Sequence, residues 1–144
     1  MITLNDFLKV PYVDHGRDLD GLDCYGQVFL ARSLLFKRPL NGDYSHINPD
    51  DKAAMTAVYF ECLPDFELVT TPTPPPGAIG GCFKKDAAGN DVLLHVGLVV
   101  VVDGQTKILN TGRESGPELM PLRVFKRLAL DVRFYDDRHD KNLS

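Results

Sequence analysis

The sequence predicts an α+β domain, with helices in the first half packed on an antiparallel sheet built from the second. Three observations predict it. Apolar residues recur at helical spacing before residue 62, apolar strand-like runs fill residues 78–135, and Asp103-Gly104 separates two of those runs. Helices first and strands after argue against the alternating order of a parallel βαβ sheet, and an Asp-Gly pair between apolar runs is a hairpin signal.

Residues 4–10 are expected to form a short helix with Thr3 as its cap, stopped by Pro11, because a residue before proline is pushed out of the helical region. Residues 12–21, rich in Asp and Gly, read as a loop. Val28, Leu30, Ala31, Leu34 and Leu35 then recur near helical spacing up to a stop at 36–39. Asp23 stands just before this run, where a carboxylate can accept from free backbone N–H groups. Cys24 is therefore predicted to be the first residue of a buried helix.

A turn-rich loop over 39–49 leads into a second helix from about 50 to 62, with Asn48 or Asp50 as its start signal. The proline-rich run 70–76 predicts an extended, polyproline-like connector. Such a run can also serve as a ligand for proline-binding modules. Strands are expected over 78–83 and 92–102. A type I′ turn at Asp103-Gly104 returns the chain over 107–110, and residues 129–135 form a last strand at a sheet edge.

The composition is that of one folded domain spanning residues 1–144, with the tail 136–144 expected to be disordered; 44% of the residues are hydrophobic and 25% charged. A chain of this length buries roughly 70% of its unfolded surface, enough for a core without staples. The net charge of −4 argues against a nucleic-acid partner, since phosphate contacts need concentrated Lys and Arg. Lys37-Arg38 and the spot from Arg123 to Arg127 read as solvated basic faces. No apolar run reaches the length of a membrane span, so no membrane insertion is expected. Nor do the first residues carry the basic and apolar regions of a secretory leader. Three cysteines cannot close a disulfide framework, and none forms a Cys-x-x-Cys pair. No metal or cofactor is expected.

A cysteine at a helix start has the positive end of the helix dipole to favour its thiolate, and a nearby imidazolium would favour it further. Gly21 and Gly26 are expected to leave room for a substrate backbone. The free N–H of Cys24 is placed to stabilise an oxyanion. Taken alone, a cysteine is more often just a small buried apolar residue, which is the reading for Cys62 and Cys82. Among the histidines, His15 and His46 sit in polar loops and His139 in the charged tail. His95 lies inside an apolar strand, where a structural role is common but where a general base would be held rigidly.

The hairpin offers an independent test. If Asp103-Gly104 is a two-residue turn, Val102 pairs with Gln105 and Asn110 falls opposite Gly97. Asn110, Gly97 and His95 then share one face, with Asn110 diagonal to His95. An amide orienting the ring is the third role of a Cys-His-Asn site.

Pro11-Tyr12, the run Gly21-Leu22-Asp23-Cys24-Tyr25-Gly26, then His95-Val96-Gly97-Leu98, Ile108-Leu109-Asn110 and Ser115-Gly116 together resemble the NlpC/P60 cysteine peptidases. The chain looks most like the compact version encoded among phage tail genes. The resemblance spans nearly the whole chain in the right order. It implies a papain-like α+β fold and cleavage of peptidoglycan stem peptides, typically between D-glutamyl and the diamino acid. Cys24 matches the nucleophile, His95 the base and Asn110 the third polar residue. Tyr12 matches a tyrosine lining the site, and Asp23 and Tyr25 flank the nucleophile as expected substrate contacts. Tyr25 departs from the usual Ser or Trp, Gly77-Ala78-Ile79 lacks the frequent Asp, and the hairpin after His95 is longer than usual.

The resemblance implies a cell-wall hydrolase assembled in the host cytoplasm, carried on the virion tail, and partnered by tail-tip or hub proteins. The alternative is a structural tail-tip module that keeps the fold with little turnover. A lipid amidase or acyltransferase on the same fold is a third option, disfavoured by the lack of an anchoring apolar segment.

Overall fold

The computed structural model describes residues 1–48, 50–61 and 66–137. Cys62 and His139 lie outside the described residues. The first helix, α1 (Leu4–Phe7), is shorter than expected. Asp6 reaches back to accept from the Thr3 N–H at 2.8 Å, tightening its first turn. The segment expected as a loop pairs with itself: β1 (Arg17–Asp18) and β2 (Gly21–Leu22) form a two-stranded hairpin.

α2 (Cys24–Phe36) begins and ends where the sequence predicts, with Lys37 in the left-handed conformation as its C-cap. α3 (Lys52–Glu61) starts later than expected. Its cap is Asp51, whose carboxylate accepts from the Ala54 N–H at 3.1 Å. Asn48 instead closes a small turn by accepting from the Asp50 N–H. The proline-rich connector bends at residues 71–73 rather than running straight.

A six-stranded antiparallel sheet follows, in the order β3-β8-β4-β5-β6-β7. Its members are β3 (Glu67–Leu68), β4 (Ile79–Lys85), β5 (Asp91–Val102), β6 (Gln105–Asn110), β7 (Glu118–Pro121) and β8 (Asp131–Asp136). The strand expected at an edge is β8, which is covered by two-residue β3. β7 and the short helix α4 (Leu122–Phe125) were not expected from the sequence. Asp136, placed by sequence in a disordered tail, closes β8 instead.

The β5–β6 hairpin has the expected register. Val102 pairs with Gln105 and Leu98 with Leu109. Asp103 and Gly104 both take positive φ, 52° and 76°, as a type I′ turn requires. Along the other edge of β5 the pairing slips. Cys82 faces His95 but Phe83 faces Leu93, so Leu94 is an extra, unpaired residue.

Helices α1, α2 and α3 cover one face of the sheet, where Phe7, Val28, Tyr59, Leu93, Val96 and Leu98 form the main core. The opposite face buries Cys82, Val99, Ile108 and Phe134 around Phe125 of α4. Gly80 and Gly97 make room for that ring, since a Cβ at either would lie within 3 Å of it. At the far end of α2, Arg32 is buried and bonds the Gly77 carbonyl and the Asp137 carboxylate. That contact ties the helix to the end of β8.

Phe125→Ala should cost about 3–5 kcal/mol, because the flat glycine-lined slot cannot close over the lost ring. Denaturant unfolding should read this as a lower midpoint. A cost near zero would mean that α4 is not part of the core.

Candidate active site

Asp23 and Cys24 are set by the start of α2. The Asp23 carboxylate accepts from the Gly26 N–H at 2.7 Å and from the His15 N–H at 3.0 Å. It also pairs with the Arg17 guanidinium at 2.7 Å. A buried carboxylate held by three donors fixes the first turn. The Cys24 thiol is thereby presented at the helix N-terminus.

His95 comes from the centre of β5, and its ring is in hydrogen-bonding contact with Cys24. Its Nε2–H donates to Oδ1 of Asn110, which leaves Nδ1 as the nitrogen available to the thiol. This is the diagonal contact expected from the hairpin register, reached without a bulge near the turn. Phe125 lies 6.2 Å away between ring centres and backs the imidazole.

Burial alone would push the Cys24 thiol up, but the hydrogen bond and positive charge of His95 outweigh it, helped by the Val96 N–H. The thiol is held below its ordinary value. Burial likewise works against a charged His95, yet the bond and charge of Cys24, with the Asn110 bond, raise it above the usual imidazole range. The pair therefore favours thiolate and imidazolium, and its two ionisations belong to the pair. The imidazolium's contribution is lost as pH rises through its raised value. The thiolate's is lost as pH falls through its lowered value.

Cys82, directly across from His95 on β4, is the opposite case. Burial pushes its thiol up to about 12. It is an apolar packing residue.

An open cleft of about 480 Å³ runs over the pair, lined by Tyr12, Cys24, Lys52, His95, Thr111 and Arg113 among others. Of the three residues expected to touch substrate, only Tyr12 lines this cleft. Burial, then the neighbouring Cys24 charge, keep its phenol protonated well above the ordinary range. Asp23 and Tyr25 line a smaller recess of about 20 Å³ that shares Cys24. Asp23 is occupied by the helix start, and the Tyr25 hydroxyl donates to the Gly42 carbonyl at 3.0 Å.

The glycines near Cys24 do not open space for substrate. A Cβ at Gly26 would lie 2.0 Å from the Gly16 carbonyl, and one at Gly21 would lie 2.3 Å from the Val13 side chain. Both positions are needed by the β1–β2 hairpin.

Sequence reading missed the cleft's charged rim. Arg113 bonds Asp14 at 3.0 Å and Asp50 at 2.7 Å, and lies 5.9 Å over the Tyr12 ring. These residues come from three separate loops, so no local pattern marks them. Lys52 was also missed. Among the described residues no cluster suited to a metal ion is found, and no helix is long and apolar enough to cross a membrane. No protein-family model, curated protein or solved structure matches the chain.

Asn110→Ala removes one of the groups that raise His95. Its titration, followed by NMR of the ring protons, should move to lower pH than in the wild type. An unmoved His95 step would show that the amide does not hold the ring.

Proposed function

We propose that this chain is a thiol endopeptidase with a papain-like fold of the NlpC/P60 type. It cuts peptidoglycan stem peptides and is carried on a phage tail. The observation that supports this best is Cys24 at the start of α2, in contact with a His95 that is itself bonded to Asn110. Nucleophile, base and orienting amide stand in the order that covalent acyl transfer requires. The sequence resemblance supplies the substrate class and the tail setting.

In the proposed reaction the Cys24 thiolate attacks the amide carbonyl carbon, and the carbonyl oxygen takes up the negative charge. The Cys24 backbone N–H at the start of α2 and the protonated Tyr12 phenol in the cleft are the donors assigned to that oxyanion in this reading. His95 passes its Nδ1 proton to the departing amine as the C–N bond breaks. The neutral ring then takes a proton from water, whose oxygen attacks the thioester. Release of the acid restores the thiolate and the imidazolium.

The scissile bond in this reading joins D-glutamyl to the diamino acid, and tail-tip or hub proteins deliver the domain to the wall. Incubated with purified stem peptides, the protein should release both halves of the peptide, detected by mass spectrometry. Cys24→Ala should release none, and His95→Ala should lose at least about 100-fold in rate. The rate should rise as pH climbs through the Cys24 step and fall as it passes the His95 step. Intact peptides of every stem chemistry, with binding to a tail protein preserved, would move the reading to a structural module.

A further inference from the structure

Residues 93–95 of β5 depart from regular strand pairing, and α3 meets them with two side chains from one face. Lys52 and Thr56 lie four residues apart, one above the other on the helix. The Thr56 hydroxyl accepts from the Leu93 N–H at 2.8 Å, and Lys52 Nζ donates to the Leu94 carbonyl at 3.1 Å. The same hydroxyl donates to the Lys52 carbonyl at 2.6 Å, which joins the two contacts. Backbone groups on either side of the Leu93–Leu94 peptide are thus bonded by helix side chains.

That peptide decides where His95 points. Leu93 and Val96 both belong to the core beneath the helices, although three residues apart in a strand they should face opposite sides. The extra residue Leu94 reverses the alternation. It leaves His95 on the face of Phe125 and Asn110, still within reach of Cys24.

We propose that Lys52 is a positioning residue for His95, holding the Leu94 bulge through its carbonyl so that the imidazole stays on the Cys24 thiol. The inference rests on the Cys24–His95 reading above. Lys52 also lines the cleft beside His95, with Asp50, Arg113, Glu114 and Tyr12. The other groups facing the ring are Cys24 of α2, Asn110 of β6 and Cys82 of β4. The Lys52 charge works against the imidazolium. On His95 its direct electrostatic effect therefore runs opposite to its positioning effect. On the Cys24 thiolate a nearby cation and a well-placed imidazole act in the same direction, so the His95 step is what separates the two.

The test is the rate of Cys24 alkylation by iodoacetamide across pH, with Cys24→Ala as background and thermal melting as a check on folding. Wild type should react at pH values where an ordinary thiol is protonated. Lys52→Met keeps the aliphatic stem and loses the donor. Its Cys24 step should rise, with low-pH alkylation falling about tenfold for each unit of that rise. Its His95 step, followed by NMR of the ring protons, should fall, which loss of the Lys52 charge alone would not do. Turnover should fall in kcat more than in KM. Lys52→Arg, which keeps a charged donor, should recover most of both. Thr56→Val, which leaves the Leu93 N–H unpaired, should shift the step in the same direction as Lys52→Met.

If Lys52→Met raises the His95 step, whatever it does to Cys24, Lys52 acts by charge alone and the proposal fails. Lower melting with unchanged alkylation would overturn it too, as a purely structural role. Absence of low-pH reactivity in the folded wild type would instead remove the Cys24–His95 reading itself.

Discussion

Strand β5 has to place Leu93, Val96, Leu98 and Val100 in one core while turning His95 and Gly97 to the other face, and a regular strand cannot do both. The slip at Leu94 resolves the conflict. Upstream of it the strand is phased for packing under α3. Downstream it is phased for the hairpin that brings Asn110 to His95. The site is therefore a product of the sheet's alternation, and the register of β6 and the seating of α3 both act on it through this one strand.

Cys24 sits on the other side of the same junction. It is only 7% exposed, and burial of that degree works against a thiolate. What reverses the balance is local: the imidazole, the Val96 N–H from the strand and the end of a 13-residue helix. Cys82 has burial without those partners, and burial, then the Cys24 charge, push its thiol up to about 12. Two cysteines around one strand thus carry opposite chemistry because their neighbours differ. Asp23 contributes indirectly, since its charge disfavours the thiolate while its bonds hold the helix start that presents it.

The parts of this arrangement that were legible in the sequence are governed by local chemistry. Asp23 at the head of an apolar periodic run marked the start of α2, and Asp103-Gly104 set the hairpin register that put Asn110 beside His95. The parts that were not legible depend on distant packing. Nothing near Leu94 signals a bulge, which arises from the competing demands of two faces. Lys52 and Arg113 reach the cleft from elements far apart in sequence, and Arg113 bonds a residue 99 positions away. Gly21 and Gly26 were rightly singled out but for another reason, because the space beside them belongs to the chain's own hairpin.

The account stands on Cys24 being a thiolate paired with a charged His95. The most direct measurement is ultraviolet absorbance of the thiolate over a pH titration of the folded protein, with Cys24→Ser subtracted to remove the other thiols. The account predicts a Cys24 ionisation below that of an ordinary thiol, moving upward in His95→Gln. A Cys24 that ionises at or above the ordinary thiol value, indifferent to His95, would contradict it.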